Sequence, residues 1–424
     1  MPEVKAFQAL RYDTKKFSPI ADVLAPPYDV ISPAEQEKFH QKNPHNVIRL
    51  ILGKEKSGDT VSSNKYTRAG EWLAQWTQSG VLTKEVLPSI YVYVQDYLEE
   101  GKKKRRVGFM AAMKIDEKAV LRHENTLASP KKDRMALLKS VRTNLSPIFG
   151  LFEDPKAAVQ KTLEKSLRAL RPAIDAAIDG VRHRLYVESR PEAIRAICLE
   201  MKKKPMFIAD GHHRFEVACQ FRRWMLGQRK DHDAGWNYVM TYFSDCQHNP
   251  FKIFPTHRLV NVPAKVDVLA ALRSKGTLQK AANLGEILRK LSKNREETAD
   301  KKYAFGIYSK KHGFYILTLS HSIAARVKQN PVDKLDVAVL HKHLIEPGFG
   351  IRAIEKSNDI DFTRDAQVAC RKVSSGEFDL AIFLRPTSLK EMIVASKKGL
   401  KMPQKSTYFY PKLLSGLAFH RFDD

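Results

Sequence analysis

Five consecutive residues, Asp210-Gly211-His212-His213-Arg214, concentrate more chemistry than any other stretch of this 424-residue chain. The apolar run Met206-Phe207-Ile208-Ala209 precedes them, and Phe215, Val217, Ala218, Phe221, Trp224 and Met225 follow at helical spacing. The switch predicts a buried strand, a break at Asp210-Gly211, and a helix beginning within two residues of Asp210. A strand that turns tightly into a helix aims backbone N–H groups and the positive helix end at one point, an arrangement that binds phosphate. Gly211 allows close backbone approach, and Arg214 can fork onto phosphate oxygens. His212 and His213 point to different sides of such a turn, so one can face a ligand while the other packs. Asp210 has three roles open to it: capping the helix, orienting a histidine, or helping to hold Mg²⁺. Two histidines between an aspartate and an arginine at this turn favour function over a plain N-cap with surface histidines.

The elements that must position this turn are legible in outline. Ala25-Pro26-Pro27-Tyr28-Asp29-Val30-Ile31 is held extended by its prolines. A helix then opens with Ser32 as N-cap, Pro33 in its first position and Glu35 three residues after the cap. Residues 46–52 read as a short apolar strand. Ser89–Val94 and Val107–Ala111 read as the arms of a hairpin turned at Gly101, with Lys102-Lys103-Lys104-Arg105-Arg106 as a charged tip and edge that blocks further pairing. Helical periodicity resumes near Met135 and over residues 155–178, and Gly180 with the strand-like Arg184–Val187 ends it. Residues 281–301 read as a charged peripheral helix, Ala304–Tyr308 and Gly313–Leu319 as a second hairpin. Helices over 334–345 and 364–374 stop at Pro347-Gly348 and Gly376. A mixed α/β (α+β) chain follows, with parts expected at 1–150 (N-terminal, with the hairpin), 151–265 (the strand–loop–helix) and 266–424 (C-terminal).

Composition narrows the class. Hydrophobic residues make up 43% and charged residues 28%, a globular balance, and no apolar run reaches the roughly 18 residues of a membrane span. Met1-Pro2-Glu3-Val4-Lys5 lacks the apolar core of a signal peptide, and the four scattered cysteines form no Cys-x-x-Cys pair, so reducing cytoplasm is the expected compartment. The 73 Lys and Arg against 47 Asp and Glu leave a formal charge of +26, which favours phosphate-bearing partners. No DNA- or RNA-recognition pattern accompanies that charge, so nucleotides rather than a specific nucleic acid are the expected partners. Cys246, His248 and His257 fit no zinc spacing. His341 and His343, two apart on a helix, face different ways and read as structural.

Five words in order, Ala25–Ile31, Asn144-Leu145-Ser146-Pro147-Ile148-Phe149-Gly150, Ile208–Arg214, Phe254-Pro255-Thr256-His257-Arg258 and Lys405-Ser406-Thr407-Tyr408-Phe409-Tyr410-Pro411-Lys412, together resemble a microbial family designated domain of unknown function 1015. The resemblance runs over essentially the whole chain. More distantly, Asp-Gly-His-His-Arg after a buried strand resembles the signature turn of the ParB and sulfiredoxin superfamily, and its wording is closest to the branch that phosphorylates free serine. That resemblance implies a nucleotide-binding core with additional N- and C-terminal α/β elements. It also implies phosphate contacts from Gly211, His212, His213 and Arg214, with Asp210 nearby. Sulfiredoxin carries its reactive cysteine where this chain has His212, so that redox chemistry is excluded.

A kinase acting on a small alcohol needs a proton acceptor, cations for the moving phosphoryl group and usually Mg²⁺ alongside ATP or ADP. Glu124 is the candidate base and His123 its partner in the polar stretch Arg122-His123-Glu124-Asn125-Thr126, expected to meet the Asp210 turn across one cleft. His212 and Asp210 are further catalytic candidates, Lys132 and Arg134 are candidate phosphate clamps, or an ordinary helix start, and Tyr28, Asp29 and His123 candidate substrate-pocket residues. Two rival readings stand beside the kinase: a ParB-type nucleotide switch that contacts DNA or a protein, and a non-catalytic binder of a phosphorylated metabolite. Against the switch, the chain has no recognition helix, long linker or dimerising coil.

Overall fold

The computed structural model describes residues 2–124, 128–352, 354 and 357–422, so Asn125 and Thr126 of the polar stretch lie outside the described residues. The fold is mixed α/β, as its sequence implies. The chain divides into two compact units. The first comprises Met1–Leu121, Thr126–Phe251 and Pro411–Asp424, and the second Arg122–Asn125 and Lys252–Tyr410.

The first unit is built on a nine-stranded sheet. Its strands are β1 (Val4–Lys5), β2 (Ile90–Glu99), β3 (Lys102–Lys114), β4 (Val120–Leu121), β5 (Ile148–Phe152), β6 (Ile174–Ile178), β7 (Val181–Glu188), β8 (Met206–Asp210) and β9 (Tyr238–Asp245). Their order is β4-β8-β5-β9-β3-β2-β7-β6, with β1 also beside β3. The pairs β4–β8 and β5–β9 are parallel, and the other pairs antiparallel. Strands covered on both faces read as continuous apolar runs, which is why Met206–Ala209 and Ile90–Val94 show no alternation. Helices Ala158–Ala169 and Pro191–Met201 bury Val159, Leu163, Ile197 and Met201 in the sheet core.

Two further helices carry the site, α1 (Ala128–Val141) and α2 (His212–Leu226). Helix α2 is apolar on two sides. Phe215, Ala218 and Cys219 enter the sheet core, while Val217, Phe221 and Met225 join Leu138 of α1, Trp236 and Phe422 in a second cluster. The predicted strand ending at Asp210 and the helix opening two residues later are both present. So are the hairpin and the capping box, in which Ser32 Oγ accepts from the Glu35 N–H at 3.3 Å and Glu35 Oε2 from the Ser32 N–H at 2.8 Å.

Several expectations are corrected. Residues 46–52 do not make a strand: Ile48–Ile51 is a short buried helix, started by the Asn46 side chain, whose Oδ1 accepts from the Ile48 N–H at 2.9 Å. A brief apolar run fits either element, and the local Asn cap decides it. The helix expected over 155–178 ends at Ala169, and Gly180 turns the β6–β7 hairpin instead. In the basic run, Lys102, Lys103 and Arg105 are exposed, but Arg106 is fully buried, because Gln95 and the Pro411 carbonyl take its donors.

The second unit holds a six-stranded antiparallel sheet of β10 (His257–Val260), β11 (Gly276–Ala281), β12 (Ala304–Ser309), β13 (Gly313–Leu319), β14 (Ile360–Thr363) and β15 (Leu380–Phe383), in the order β11-β13-β12-β15-β10-β14. The charged stretch 281–301 is helical only at Leu284–Lys290 and, as a short 3₁₀ turn, at Arg295–Glu297. The helix expected to stop at Pro347 instead widens into a π-helix at Leu340–Ile345 and runs on to Phe349. A π turn leaves main-chain groups without their usual partner, so the missing proline N–H costs little there. Among the described residues no helix is long and apolar enough to cross a membrane.

Packing against β9 leaves no room at Gly108, where an added Cβ would stand 2.3 Å from the Phe243 carbonyl and 2.5 Å from the Tyr242 ring. Gly108→Ala should therefore destabilise the first unit by about 1–3 kcal/mol or more, read from the midpoint of urea unfolding.

Candidate phosphate site

The turn between β8 and α2 is held in one conformation by glycine and by charge. Gly211 adopts φ 92° and ψ 27°, a left-handed conformation that costs a residue with Cβ about 1–2 kcal/mol. A Cβ there would also lie 3.1–3.2 Å from the Arg214 guanidinium, which folds back over the turn. Gly211 has no side chain with which to cap α2. His212 is buried, and His213 and Arg214 are half-buried.

Asp210 is the electrostatic centre. Its Oδ1 accepts from the Gly211 N–H at 2.8 Å, its Oδ2 from the Lys412 ammonium at 2.9 Å, and the Arg214 guanidinium stands 3.9 Å away. Burial alone would raise the carboxyl pKa, but Lys412, Arg214 and His212 outweigh it and hold the group well below the usual carboxylate range. Arg214 is pinned in turn by donating to the Pro147 carbonyl, next to Ser146, whose hydroxyl meets that of Ser415 at 2.6 Å.

Beside the turn lies a cleft whose walls include Tyr28, Arg134, Asn144, Ser146 and Arg214. Tyr28 forms a half-buried wall, with the Arg134 guanidinium 4.0 Å from its ring centre. Burial and the nearby Asp29 push its hydroxyl up to about 12, against the pull of Arg134 and Arg214. Arg134 is committed to the Ile51 carbonyl at 2.7 Å and to Asp133, so it braces Tyr28. Lys132 is exposed on α1, and its neighbour Lys131 bonds Glu216 of α2 at 2.7 Å. Asp29 is exposed.

The other expected site residues lie in the second unit. His123 is buried, with Nε2 3.4 Å from Thr407 Oγ1, and its carbonyl accepts from the Met402 N–H at 2.7 Å. Glu124 bridges to Met402 and accepts from the Lys405 N–H at 3.5 Å. The His-Glu word and the stretch from Met402 to Thr407 are thus woven together. His257 and His341 are buried: His257 Nδ1 accepts from the Leu384 N–H at 3.3 Å, and His341 Nε2 from Arg258 Nε at 3.2 Å. His248, in the first unit, pairs with Asp245.

Sequence reasoning missed two groups at the turn, the Lys412 ammonium and the Pro147 carbonyl. Both fall inside words noted for their resemblance, but Lys412 lies 202 positions from Asp210, and no local pattern joins them. The Mg²⁺ expected at Asp210 does not fit the arrangement. Both carboxylate oxygens are occupied, and two cations already face a group that Mg²⁺ would have to approach to about 2.0–2.1 Å.

A depressed carboxyl pKa stabilises the fold above the unfolded value, near 3.9, and that contribution is lost as pH falls through the lower folded value. Asp210→Asn should therefore lower stability most near pH 6. The difference from the parent chain should shrink toward pH 3, as measured by urea unfolding at each pH.

The family model described as protein of unknown function (DUF1015) matches residues 4–338. No curated protein matches the sequence. Similar solved structures include a free serine kinase in complex with AMP, at 11% identity and TM-score 0.34, covering 71% of this chain and 86% of that one. A variant of free serine kinase in complex with ADP gives 12% and 0.35, with 71% and 87% covered. C-terminally truncated SbnI from Staphylococcus aureus gives 11% and 0.35, with 72% and 85% covered. Likeness of this degree carries no argument about chemistry, which stands on the geometry of the turn. The family match spans well over half of the sequence, and the chain belongs to the DUF1015 family.

Proposed function

We propose that the β8–α2 turn holds the phosphates of ATP or ADP, and that the protein transfers a phosphoryl group to a small hydroxylated metabolite such as free serine. The observation that carries this reading is the convergence of Arg214 and Lys412 on one carboxylate beside a left-handed glycine that opens a 15-residue helix. Phosphate oxygens arriving there meet the positive helix end and two cations, one of them able to fork. The resemblance of Asp-Gly-His-His-Arg to the serine-kinase branch supports the same assignment. Tyr28, braced by Arg134, would wall the pocket, and Gly211, His212 and His213 would line its phosphate end.

In the reaction the substrate hydroxyl oxygen attacks the terminal phosphorus, the bond from that phosphorus to the departing nucleotide oxygen breaks, and the hydroxyl proton passes to a carboxylate. Charge gathering on the departing oxygen is offset by Arg214 and Lys412. Asp210 is committed to Gly211 and Lys412, which disfavours it as the acceptor. Glu124 keeps that role on chemical grounds, as a loop carboxylate that is half-buried.

A nucleotide that binds only the folded protein must raise its melting temperature, so ADP or ATP should stabilise the protein in a thermal-shift series and random duplex DNA should not. Arg214→Ala should weaken nucleotide binding by about 1.5–3 kcal/mol by calorimetry. It should also melt earlier than the parent, because Arg214 supports Pro147. Unchanged affinity would reduce Arg214 to that supporting role. Glu124→Gln keeps size and polarity, so it should spare nucleotide affinity while lowering phosphotransfer by roughly 10²–10⁴-fold.

A further inference from the structure

The group that reaches Asp210 from the far end of the chain is itself gripped from beneath by a buried polar network. Arg106 is fully buried, lies 4.8 Å from the Phe149 ring centre, and donates through Nε to Gln95 Oε1 at 3.0 Å and through Nη2 to both Gln95 and the Pro411 carbonyl. An arginine can only donate, so Gln95 must turn its oxygen toward Arg106 and its amide N–H₂ the other way. That nitrogen donates to the Lys412 carbonyl at 2.8 Å. Two residues on, the Leu414 N–H donates to the Tyr93 hydroxyl at 3.4 Å, whose own proton faces His183 Nδ1 at 2.6 Å. Burial, with Arg106 close by, holds the His183 pKa down to about 3, so the ring is neutral and can accept that proton.

Consecutive carbonyls, Pro411 and Lys412, are thus held by two side chains whose orientation is dictated by each other. A buried guanidinium is costly unless its donors are satisfied, and an equivalent apolar pair would pack as well. What the polar pair adds is a fixed height and rotation of the irregular segment that presents Lys412. We propose that Gln95 and Arg106 are positioning residues that fix the Lys412 ammonium at the Asp210 carboxylate, so that the phosphate-binding turn carries a built-in second cation where a divalent metal would otherwise be required. The phosphate half of this inference rests on the function proposed above; the positioning half does not.

The test separates the two halves. Gln95→Glu keeps the size of the side chain and the bonds from Arg106, but sets a carboxylate oxygen against the Lys412 carbonyl. Gln95→Met, which only removes the amide, is the second variant should the first fold poorly. With the nucleotide-free protein, acetylation of Lys412 by a limiting acylating reagent is followed by peptide mass spectrometry. The internal reference is Lys204, another lysine paired with a buried aspartate in the same unit (2.9 Å to Asp154). Lys412 should become several-fold more reactive in either variant while Lys204 does not change, a pattern that general loosening would not produce. Equal protection of Lys412 in parent and variants, or a parallel rise at Lys204, would overturn the positioning role. ADP binding by calorimetry in EDTA should persist in the parent and fall about tenfold or more in Lys412→Met and in the Gln95 variants. Binding by the parent only when Mg²⁺ is present would overturn the built-in cation. A parent that binds no ADP under either condition would end the phosphate reading while the acetylation result still decides the positioning role.

Discussion

Asp210 stands where strand β8 gives way to helix α2, and its ionised carboxylate ties together segments that the sequence keeps far apart. Lys412 reaches it from the last segment of the first unit, Gly211 donates to it from the turn itself, and Arg214 leans toward it while anchored to Pro147. A partly buried carboxylate is unstable by itself and becomes favourable only when its partners are held in place. The requirements propagate outward. Gly211 must take a left-handed conformation, Pro147 must present its carbonyl, and the 411–414 segment must lie at one height.

The positive charge of the chain takes a different meaning from the structure than from its sum. Several arginines are spent inside: Arg106, Arg134, Arg258 and Arg385 are buried, and each donates to a main-chain carbonyl, of Pro411, Ile51, Thr256 and Lys302 respectively. A guanidinium with five donors suits loop carbonyls that no strand or helix satisfies. A part of the +26 surplus therefore serves to hold irregular backbone and makes no surface field that could draw in a polyanion.

What the sequence made legible was local. The change from an apolar run to helical spacing at Asp210, and the Ser32-Pro33-Glu35 start signal, are written within a few residues of where they act, and the structure agrees with both. Residues 46–52 misled because so short an apolar run carries no period, and a single Asn46 side chain settled the matter. Arg106 misled for the opposite reason: it sits in a run of five basic residues, yet the alternation of a strand sends it inward while Arg105 points out to solvent. Lys412 was illegible in principle. Its partner lies two hundred positions upstream, and the contact exists only because the chain returns to the first unit after building the second.

That return has a consequence for the order of events during synthesis. At a ribosomal pace of about 5–20 residues per second, roughly 10–40 s separate the emergence of Arg214 from that of Lys412. Throughout that interval the nascent first unit holds Asp210 without its ammonium, and Arg106 and Gln95 without the carbonyls of Pro411 and Lys412. The sheet can collapse, but its polar centre is a socket awaiting its plug. The second unit, complete only at Tyr410, finishes emerging just two residues before Lys412. Closure of the Asp210–Lys412 contact is thus a late, intramolecular step.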